Sequence, residues 1–203
     1  MDHPPLILAS SSPRRRELLV EAGYEFEVVA PNQDLECGLC SDDGPAGLVT
    51  ELAYRKAETV RRELLGAPSP DPSPGPRVIV AADTVAECDG SILGKPRDED
   101  DARTMLRQLR GRQHRVMTGV CVWPLDQSEP RVGVAVTRLR MDDLSEAQID
   151  EYVASGQWAG KAGGFGYQDR LGWIHIEVGS ESNVVGLPLE LLKEMLASLA
   201  GPG

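Results

Sequence analysis

The hydrophobic residues of this chain fall into two kinds of segment: short apolar runs, and longer segments in which apolar residues recur with helical spacing. A short apolar run bounded by turn residues is typical of a strand that is covered on both faces of a sheet. Two such runs flanking a tight turn favour a hairpin. These patterns predict strands at residues 5–9, 24–30, 77–84, 114–125, 131–141 and 173–178, and a hairpin over 85–96 with its turn at "CDGS".

The longer periodic segments predict helices. The clearest is 45–66, where the apolar residues share one face. Segment 98–111 begins with acids and ends with arginines, which matches the dipole of a helix. A capping-box sequence, "SEAQ", predicts the start of another helix. The helix with this capping box is predicted at residues 144–156, and two further helices are predicted at residues 13–22 and 187–200.

Glycine and proline mark the loops. Residues 67–76, "APSPDPSPGP", carry too many prolines for a helix or strand, and we interpret them as an exposed loop within one domain. Glycine-rich residues 160–172 and residues 179–186 are also predicted to be loops. The alternation of strands and helices predicts an α/β fold with a central mixed sheet flanked by helices, in a single domain over 1–203.

Composition and charge limit the classes of function. With 41% hydrophobic and 26% charged residues, the composition is that of a soluble globular protein. No apolar run approaches the ~18 residues that cross a bilayer, and the first residues do not resemble a signal peptide, so we expect a cytoplasmic protein. The net charge of -11 argues against the broad basic face of a nucleic-acid binder. We therefore expect neither a nucleic-acid nor a membrane partner, and any bound anion must be held by a local group of cations.

The densest group of cations is "SSSPRRR", where a predicted strand meets a predicted helix. Ser12 suits the capping position and Pro13 the first turn of that helix. Unpaired N–H groups and the dipole at a helix start favour an anion, whereas Arg14 and Arg15 are unfavourable in a first turn without one. The segment is a candidate phosphate site, and the alternative is a solvated basic turn paired with surface acids.

Asp83 is placed at the end of the predicted strand 77–84. Carboxylates at the ends of strands in α/β sheets often lie in the ligand crevice. There, Asp83 is a candidate general base or metal ligand, and the alternative is a residue that caps the next turn. Lys56 and Lys95, each taken alone, are typical surface lysines, and neither "GSILGKP" nor "QWAGKAG" has the spacing of a P-loop.

Cys37 and Cys40 form a CxxC pair in "CGLC". No second pair follows to complete a zinc site, and the pair does not open a helix as a thioredoxin-type motif does. We expect reduced cytosolic thiols here rather than a metal or redox site.

Five short motifs occur in a fixed order: "LASSSPRR", "AADT", "GKP", "KAGGFGYQ" and "NVVGLPL". Each is weak alone, but the set is highly specific. From Leu6 to about Leu192, the chain closely resembles the Maf family of nucleoside triphosphate pyrophosphatases.

This resemblance implies a single elongated α/β domain with a cleft in a central mixed sheet, usually as a homodimer. It also implies hydrolysis of a nucleoside triphosphate to the monophosphate and pyrophosphate, assisted by a divalent cation, Mg²⁺ or Mn²⁺. Such an enzyme would remove unwanted nucleotides before polymerases use them. The family's phosphate motif, its two lysines and its catalytic aspartate all have counterparts here: Ser10, Arg14, Arg15, Lys56, Lys95 and Asp83.

The resemblance also implies a substrate. Thr84 and Gln168 match positions that, together with Arg14, are associated with the choice of base. Arg, Thr and Gln are the residues of the branch that acts on dTTP and UTP, whereas the 7-methyl-GTP branch typically has an aromatic residue, Gln and Glu. We therefore expect dTTP and UTP as substrates.

The chain departs from the family pattern at two places. Many members have adjacent acids shortly after the second strand, whereas Asp34 here has Leu35 beside it, which argues against Asp34 as a metal ligand and keeps Asp83 as a candidate. Where the family commonly has "IQG", this chain has "YQDR", so we expect Asp169 and Arg170 to reshape the base pocket. Two other functions remain open. One is a nucleotide-binding regulator of cell division or septum formation with weak or no hydrolysis. The other is a pyrophosphatase for 7-methyl-GTP or another modified nucleotide.

Overall fold

The computed structural model describes residues 4–31, 43–66 and 77–199. The predicted proline-rich loop at 67–76, together with Asp34, Cys37 and Cys40, lies outside the described residues. No helix in the described ranges is long and apolar enough to cross a membrane.

The described strands form one mixed sheet, as predicted. Its order is β2-β1-β3-β5-β6-β7, and β4 pairs with β3. Strand β1 is parallel to both β2 and β3, whereas β4 and β7 are antiparallel to β3 and β6. The strands are β1 Leu6–Leu8, β2 Phe26–Val28, β3 Val78–Cys88, β4 Ser91–Leu93, β5 Gln113–Pro124, β6 Arg131–Met141 and β7 Ile174–Val178.

The helices follow the periodic segments closely. The predicted capping box is present, because the Ser145 side chain accepts a hydrogen bond from Gln148 N, and the Gln148 side chain accepts one from Ser145 N. The helices are α1 Pro13–Glu21, α2 Gly44–Gly66, α3 Glu99–Leu109, α4 Glu146–Ala154, α5 Glu181–Val185 and α6 Leu189–Leu199.

The prediction that residues 179–186 form only a loop is wrong, because this segment contains α5. Five residues are too few to show helical periodicity, and the helix is held by tertiary bonds instead. The Asn183 side chain is buried and donates to Thr137 Oγ1 at 2.8 Å and to the Val116 carbonyl at 3.2 Å. Ser180, a residue type favoured at helix starts, accepts a hydrogen bond from Asn183 N on its hydroxyl.

The predicted end of the third strand at Asp83 and Thr84 is also wrong. Strand β3 continues to Cys88, because its second half pairs with β4 in the predicted hairpin. The turn residues Asp89 and Gly90 both have positive φ, at 50° and 80°, as a two-residue type I′ turn requires. Asp83 therefore lies within a continuous strand and does not cap a turn.

The chain divides into two compact units. The first comprises Met1–Asp83, Thr118–Val134 and Gly186–Gly203, and the second comprises Thr84–Met117 and Ala135–Val185. The predicted single domain over 1–203 stays a prediction. In the first unit, α2 approaches β5 so closely that a Cβ at Gly119 would lie 2.3 Å from the Val49 carbonyl oxygen, so only glycine fits there. In the second unit, α3, α4 and the glycine-rich loop surround a core that includes Leu106 and Phe165.

Candidate active site

The segment between β1 and α1 is organised around a buried serine. Ser10 is 5% exposed, and its Oγ accepts a hydrogen bond from Ser12 N at 3.2 Å. Ser12 occupies the predicted capping position and Pro13 the start of the helix, but the Ser12 side chain makes no capping bond. Arg14 and Arg15 lie in the first turn, as predicted, and no acidic residue lies there. The first turn of α1 therefore has the partial positive charge of a helix start next to two guanidinium groups.

Arg15 ties this turn to a distant part of the same unit. Its Nη1 donates to Ser10 Oγ at 3.0 Å, and its Nε donates to the carbonyl of Gly186 at 2.7 Å. Gly186 lies 171 positions away in the sequence, within the "NVVGLPL" motif. Because a planar guanidinium presents several donors in fixed directions, these two bonds set the orientation of the whole Arg15 head group.

Asp83 forms a buried ion pair with Lys56. The Lys56 Nζ lies 2.5 Å from Asp83 Oδ1, and the two residues are 6% and 8% exposed. Lys56 reaches this position because it lies on the buried face of α2, between Leu52 and Val60 at four-residue spacing. Within the described part of the chain, Lys56 is the one hydrogen-bond partner that the Asp83 side chain has.

Strand register places the start of the arginine turn next to the part of β3 that carries Asp83. Parallel strands β1 and β3 pair Leu8 with Val80, and Ala9 N donates to the Val80 carbonyl. Ser10 comes two residues after Leu8, and Asp83 comes three residues after Val80 within β3, so both lie just beyond the carboxyl end of β1, where ligands commonly bind in open α/β sheets. The first unit thus brings together five predicted site residues, called the phosphate cluster below: Ser10, Arg14, Arg15, Lys56 and Asp83.

The other three predicted site residues, Thr84, Lys95 and Gln168, belong to the second unit. Thr84 is half-buried, whereas Lys95 and Gln168 are exposed. The "GKP" motif and the glycine-rich loop are adjacent in this unit, because Gly163 N donates to the Gly94 carbonyl at 2.9 Å. A Cβ at Gly164 would lie 3.1 Å from Pro96 Cγ, so these two motifs also pack closely against each other.

The unusual "YQDR" segment takes part in an internal ion pair. The Asp169 carboxylate accepts hydrogen bonds from Lys161 Nζ at 2.5 and 2.6 Å and from the Tyr152 hydroxyl at 2.7 Å. Arg170 is exposed and has a left-handed backbone conformation with φ of 50°. The Asp169 side chain is therefore held inside the unit, whereas Arg170 lies at its surface.

The remaining candidates for metal or thiol chemistry in the described ranges include two buried cysteines and a buried histidine. In the described ranges, no group of three His, Cys, Asp or Glu side chains is arranged to hold a metal ion. Cys88 and Cys121 are buried free thiols, and burial raises the pKa of Cys121 to about 12. A thiol with this pKa is a poor nucleophile and a poor metal ligand. His114 packs edge-on against the Phe165 ring, and burial lowers its pKa to about 4.

The hydrogen-bond partners of these residues were not predicted from the sequence. It assigned Lys56 to substrate phosphates, whereas the structure pairs it with Asp83. The signal was present, because Lys56 occupies the apolar stripe of a helix, where a lysine is buried and needs a counter-ion. Neither the bond from Arg15 to Gly186 nor the bonds from Lys161 and Tyr152 to Asp169 have a local sequence signal.

Known proteins resemble this chain over almost its whole length. The family described as "Maf-like protein" matches residues 5–199. A dTTP/UTP pyrophosphatase of Rhodopirellula baltica is 49% identical over 94% of this chain and 80% of its own length. A protein of the same name from Dictyoglomus thermophilum is 39% identical, with 96% and 95% covered.

Among solved structures, that of the Staphylococcus aureus Ham1 protein has a TM-score of 0.49 and 13% identity, covering 97% of this chain and 98% of that one. The match of the family over almost the entire chain, together with these two relatives, shows that the chain belongs to the Maf family.

Proposed function

We propose that this protein is a nucleoside triphosphate pyrophosphatase that hydrolyses dTTP and UTP to the monophosphate and pyrophosphate. The observation that carries the proposal is the buried pair of Asp83 and Lys56, which lies with the arginine turn just beyond the carboxyl end of β1. Relatives named dTTP/UTP pyrophosphatase, at 39–49% identity over most of the chain, support the choice of reaction and substrate.

The arginine turn provides the affinity for phosphate. A helix start attracts anions through its unpaired N–H groups and its dipole, and Arg14 and Arg15 add two full charges there. The bonds from Arg15 to Ser10 and Gly186 hold its guanidinium in place before the substrate arrives, so less conformational freedom is lost on binding. Lys95 is proposed as a further cation for the phosphates.

Asp83 acts as the general base. Its carboxylate takes a proton from a water molecule as the water oxygen forms a bond to phosphorus and the anhydride bond between the α- and β-phosphates breaks. Lys56 stabilises the charge of Asp83 and fixes the direction of its carboxylate through Oδ1. A positioned base of this kind contributes roughly 10²–10⁴-fold to the rate.

The proposed divalent cation, Mg²⁺ or Mn²⁺, fits a site that is completed by the substrate. In proteins, Mg²⁺ is usually held by one or two carboxylates together with substrate phosphates and water. The phosphate cluster offers one carboxylate, Asp83, which suits an ion that arrives with the triphosphate better than an ion held by protein ligands alone. When bound, the ion would neutralise negative charge on the phosphates.

The nucleobase of the substrate is selected by Gln168 and Thr84, with Arg14 as the third position. A glutamine amide carries both a donor and an acceptor, so one side chain matches a carbonyl and the ring N–H of thymine or uracil. The side chain of Gln168 is exposed in the free protein, which leaves it accessible to a ligand. Thr84 is small, and a larger residue next to Asp83 would reduce the space for the base.

The test is pyrophosphate release, measured as kcat/KM for dTTP, UTP, CTP, GTP and 7-methyl-GTP with Mg²⁺ or Mn²⁺ and again with a chelator. We expect the highest values for dTTP and UTP, and a loss of activity when the metal is removed. A preference for 7-methyl-GTP, or tight binding of nucleotides without turnover, would contradict the proposal.

We also propose that the protein acts in the cytoplasm as a homodimer and removes unwanted nucleotides from the pool. The family resemblance supports the dimer, and the acidic composition is compatible with a protein that does not bind nucleic acid. Light scattering of the purified protein tests the dimer, because a dimer would have about twice the 22.0 kDa mass of the chain.

A further inference from the structure

The glycine-rich loop of the second unit is closed around a carboxylate. Lys161, at the start of the loop, and Tyr152, on α4, both donate to Asp169, at distances of 2.5–2.7 Å. The side chains of Lys161 and Asp169 are only 13% and 12% exposed. These three residues are called the Asp169 clamp below. A contact this well shielded from water is more rigid than a surface ion pair.

The backbone between the two ends of the clamp passes directly over it. A Cβ at Gly166 would lie 2.4 Å from Lys161 Nζ and 2.6 Å from Asp169 Oδ2, so a larger residue there would displace the ends of these two side chains. From Gly166, the chain enters a single 3-10 turn over Tyr167–Asp169, where Asp169 N donates to the Gly166 carbonyl at 3.2 Å. The clamp therefore fixes both the side chain and the backbone of Asp169.

Gln168 lies in the middle of this turn, between Tyr167 and the clamped Asp169. Its own side chain is exposed, and the second bond of the turn, from Arg170 N to the Tyr167 carbonyl at 3.2 Å, closes the backbone on its other side. The direction in which the Gln168 side chain projects from the backbone is thus set by a turn that is anchored at the next residue, Asp169.

We propose that Asp169, held by Lys161 and Tyr152, is a positioning residue that fixes Gln168 for the selection of the pyrimidine base. This inference rests on the proposed function and deepens it. Asp169 does not touch the substrate. It acts through Gln168, and it replaces the glycine of the common "IQG" pattern with an anchored residue.

The mechanism predicts a specific kinetic signature. The base lies at the far end of the substrate from the breaking anhydride, so a displaced Gln168 weakens binding in the ground state and the transition state alike. Uniform losses of this kind raise KM and leave kcat nearly unchanged. The effect should fall on dTTP and UTP, whose base edges Gln168 contacts, and should spare substrates that are bound through their phosphates alone.

Two substitutions test the clamp at different strengths. Asp169→Asn removes the charge that pairs with Lys161 but keeps an oxygen for the Tyr152 hydroxyl. Tyr152→Phe removes only that hydroxyl and retains the edge-to-face contact with Trp173, whose ring centre is 5.2 Å away. The matched control is Glu87→Gln, because Glu87 is a buried carboxylate of the same unit, paired with Arg115 at 2.7 Å and outside the proposed site.

The measurement is kcat and KM for dTTP, UTP and GTP on the wild type and the three variants, with a thermal melt of each protein. We expect Asp169→Asn to reduce the ratio of kcat/KM for dTTP over GTP by roughly tenfold, through KM, since the loss of one hydrogen bond to the nucleobase has an effect of about that size. Tyr152→Phe should reduce it less, and Glu87→Gln should leave it unchanged even where its melting temperature falls.

The outcomes separate the two levels of the proposal. If the wild type prefers dTTP and UTP and both clamp variants keep that preference, the positioning role is wrong and the proposed function stands. A control variant that loses selectivity as strongly as Asp169→Asn would also overturn the role, because the effect would then follow general destabilisation. A wild type without pyrimidine preference would overturn the role and the proposed function together. If Asp169→Asn does not fold, Tyr152→Phe decides.

Discussion

Lys56 Nζ lies 2.5 Å from Asp83 Oδ1, and both residues are more than nine-tenths buried. Removing a charged side chain from water is costly unless a partner compensates, so each of these two groups depends on the other. The pair links α2 to β3 and at the same time directs the carboxylate proposed as the base. Removal of either partner is therefore expected to lower stability, whereas only the loss of Asp83 also removes the proposed base.

The first prediction concerns Asp83. Asp83→Asn should lower kcat by roughly 10²–10⁴-fold, because the amide cannot accept a proton from water. Nucleotide affinity, measured by calorimetry, should remain close to that of the wild type. Lys56→Met is the comparison, since it leaves a buried carboxylate without a counter-ion and should lower the free energy of unfolding by about 3–5 kcal/mol. A turnover of Asp83→Asn near that of the wild type would remove Asp83 from the mechanism.

The second prediction concerns the shape of Arg15. Arg15→Lys keeps the charge but loses the fixed arrangement that bonds both Ser10 and Gly186. We expect KM for dTTP to rise by roughly tenfold, consistent with the loss of one or two hydrogen bonds to a charged group. Arg16→Lys is the control, because Arg16 is the exposed neighbour on the same helix. Equal effects of the two substitutions would mean that only the overall charge of the turn matters.

The third prediction concerns the choice of base. Gln168→Glu should lower kcat/KM for dTTP and UTP by about ten- to a hundredfold, because an ionised carboxylate cannot donate to a base carbonyl. Activity on GTP should fall less or rise, since a carboxylate accepts from the N–H groups of guanine. Gln157→Glu adds the same charge at another exposed position of the second unit and should change neither. An equal loss for all substrates in Gln168→Glu would exclude a role in base selection.

The fourth prediction concerns pH. Burial lowers the pKa of His114 to about 4, below the value near 6.5 of an unfolded histidine. The unfolded chain therefore binds a proton that the folded chain rejects, and the stabilising contribution is complete above pH 6.5. It is lost as the pH falls from about 6.5 towards 4, up to about 3 kcal/mol in total.

Urea unfolding at pH 7.5 and pH 4.5 tests this contribution. The free energy of unfolding of the wild type should fall between the two values by more than that of His114→Leu, which has no proton to gain. A matched decrease in both proteins would assign the acid sensitivity to other groups.

Long periodic segments were predictable from sequence because the pattern that defines them is local. The bounds of α2 and the capping box of α4 follow from residues within one or two turns of each other. The end of β3 does not follow from nearby residues. Asp83 and Thr84 resemble a strand end, and only pairing with β4 extends the strand past them. Helix α5 was not predicted for a related reason, because the hydrogen bonds of the Asn183 side chain reach distant residues in β5 and β6.

The same distinction applies to the candidate site. Its residues could be proposed from sequence because the motifs that contain them are contiguous and specific to one family, and their roles stay predictions. Their partnerships were not, because the bond from Arg15 to Gly186 spans 171 positions and the pairing of Lys56 with Asp83 spans 27. Such contacts depend on the register of β1 on β3 and on which face of α2 is buried, neither of which a single motif contains.

The most direct measurement is a product analysis of dTTP incubated with the purified protein and Mg²⁺. The proposed reaction predicts dTMP and pyrophosphate in equal amounts from the first minutes, with no orthophosphate and no dTDP, and loss of both products in Asp83→Asn. Orthophosphate with dTDP would place the broken bond at the terminal phosphate and contradict the account. Unchanged dTTP, bound but not hydrolysed, would contradict it as well and would favour a nucleotide-binding regulator.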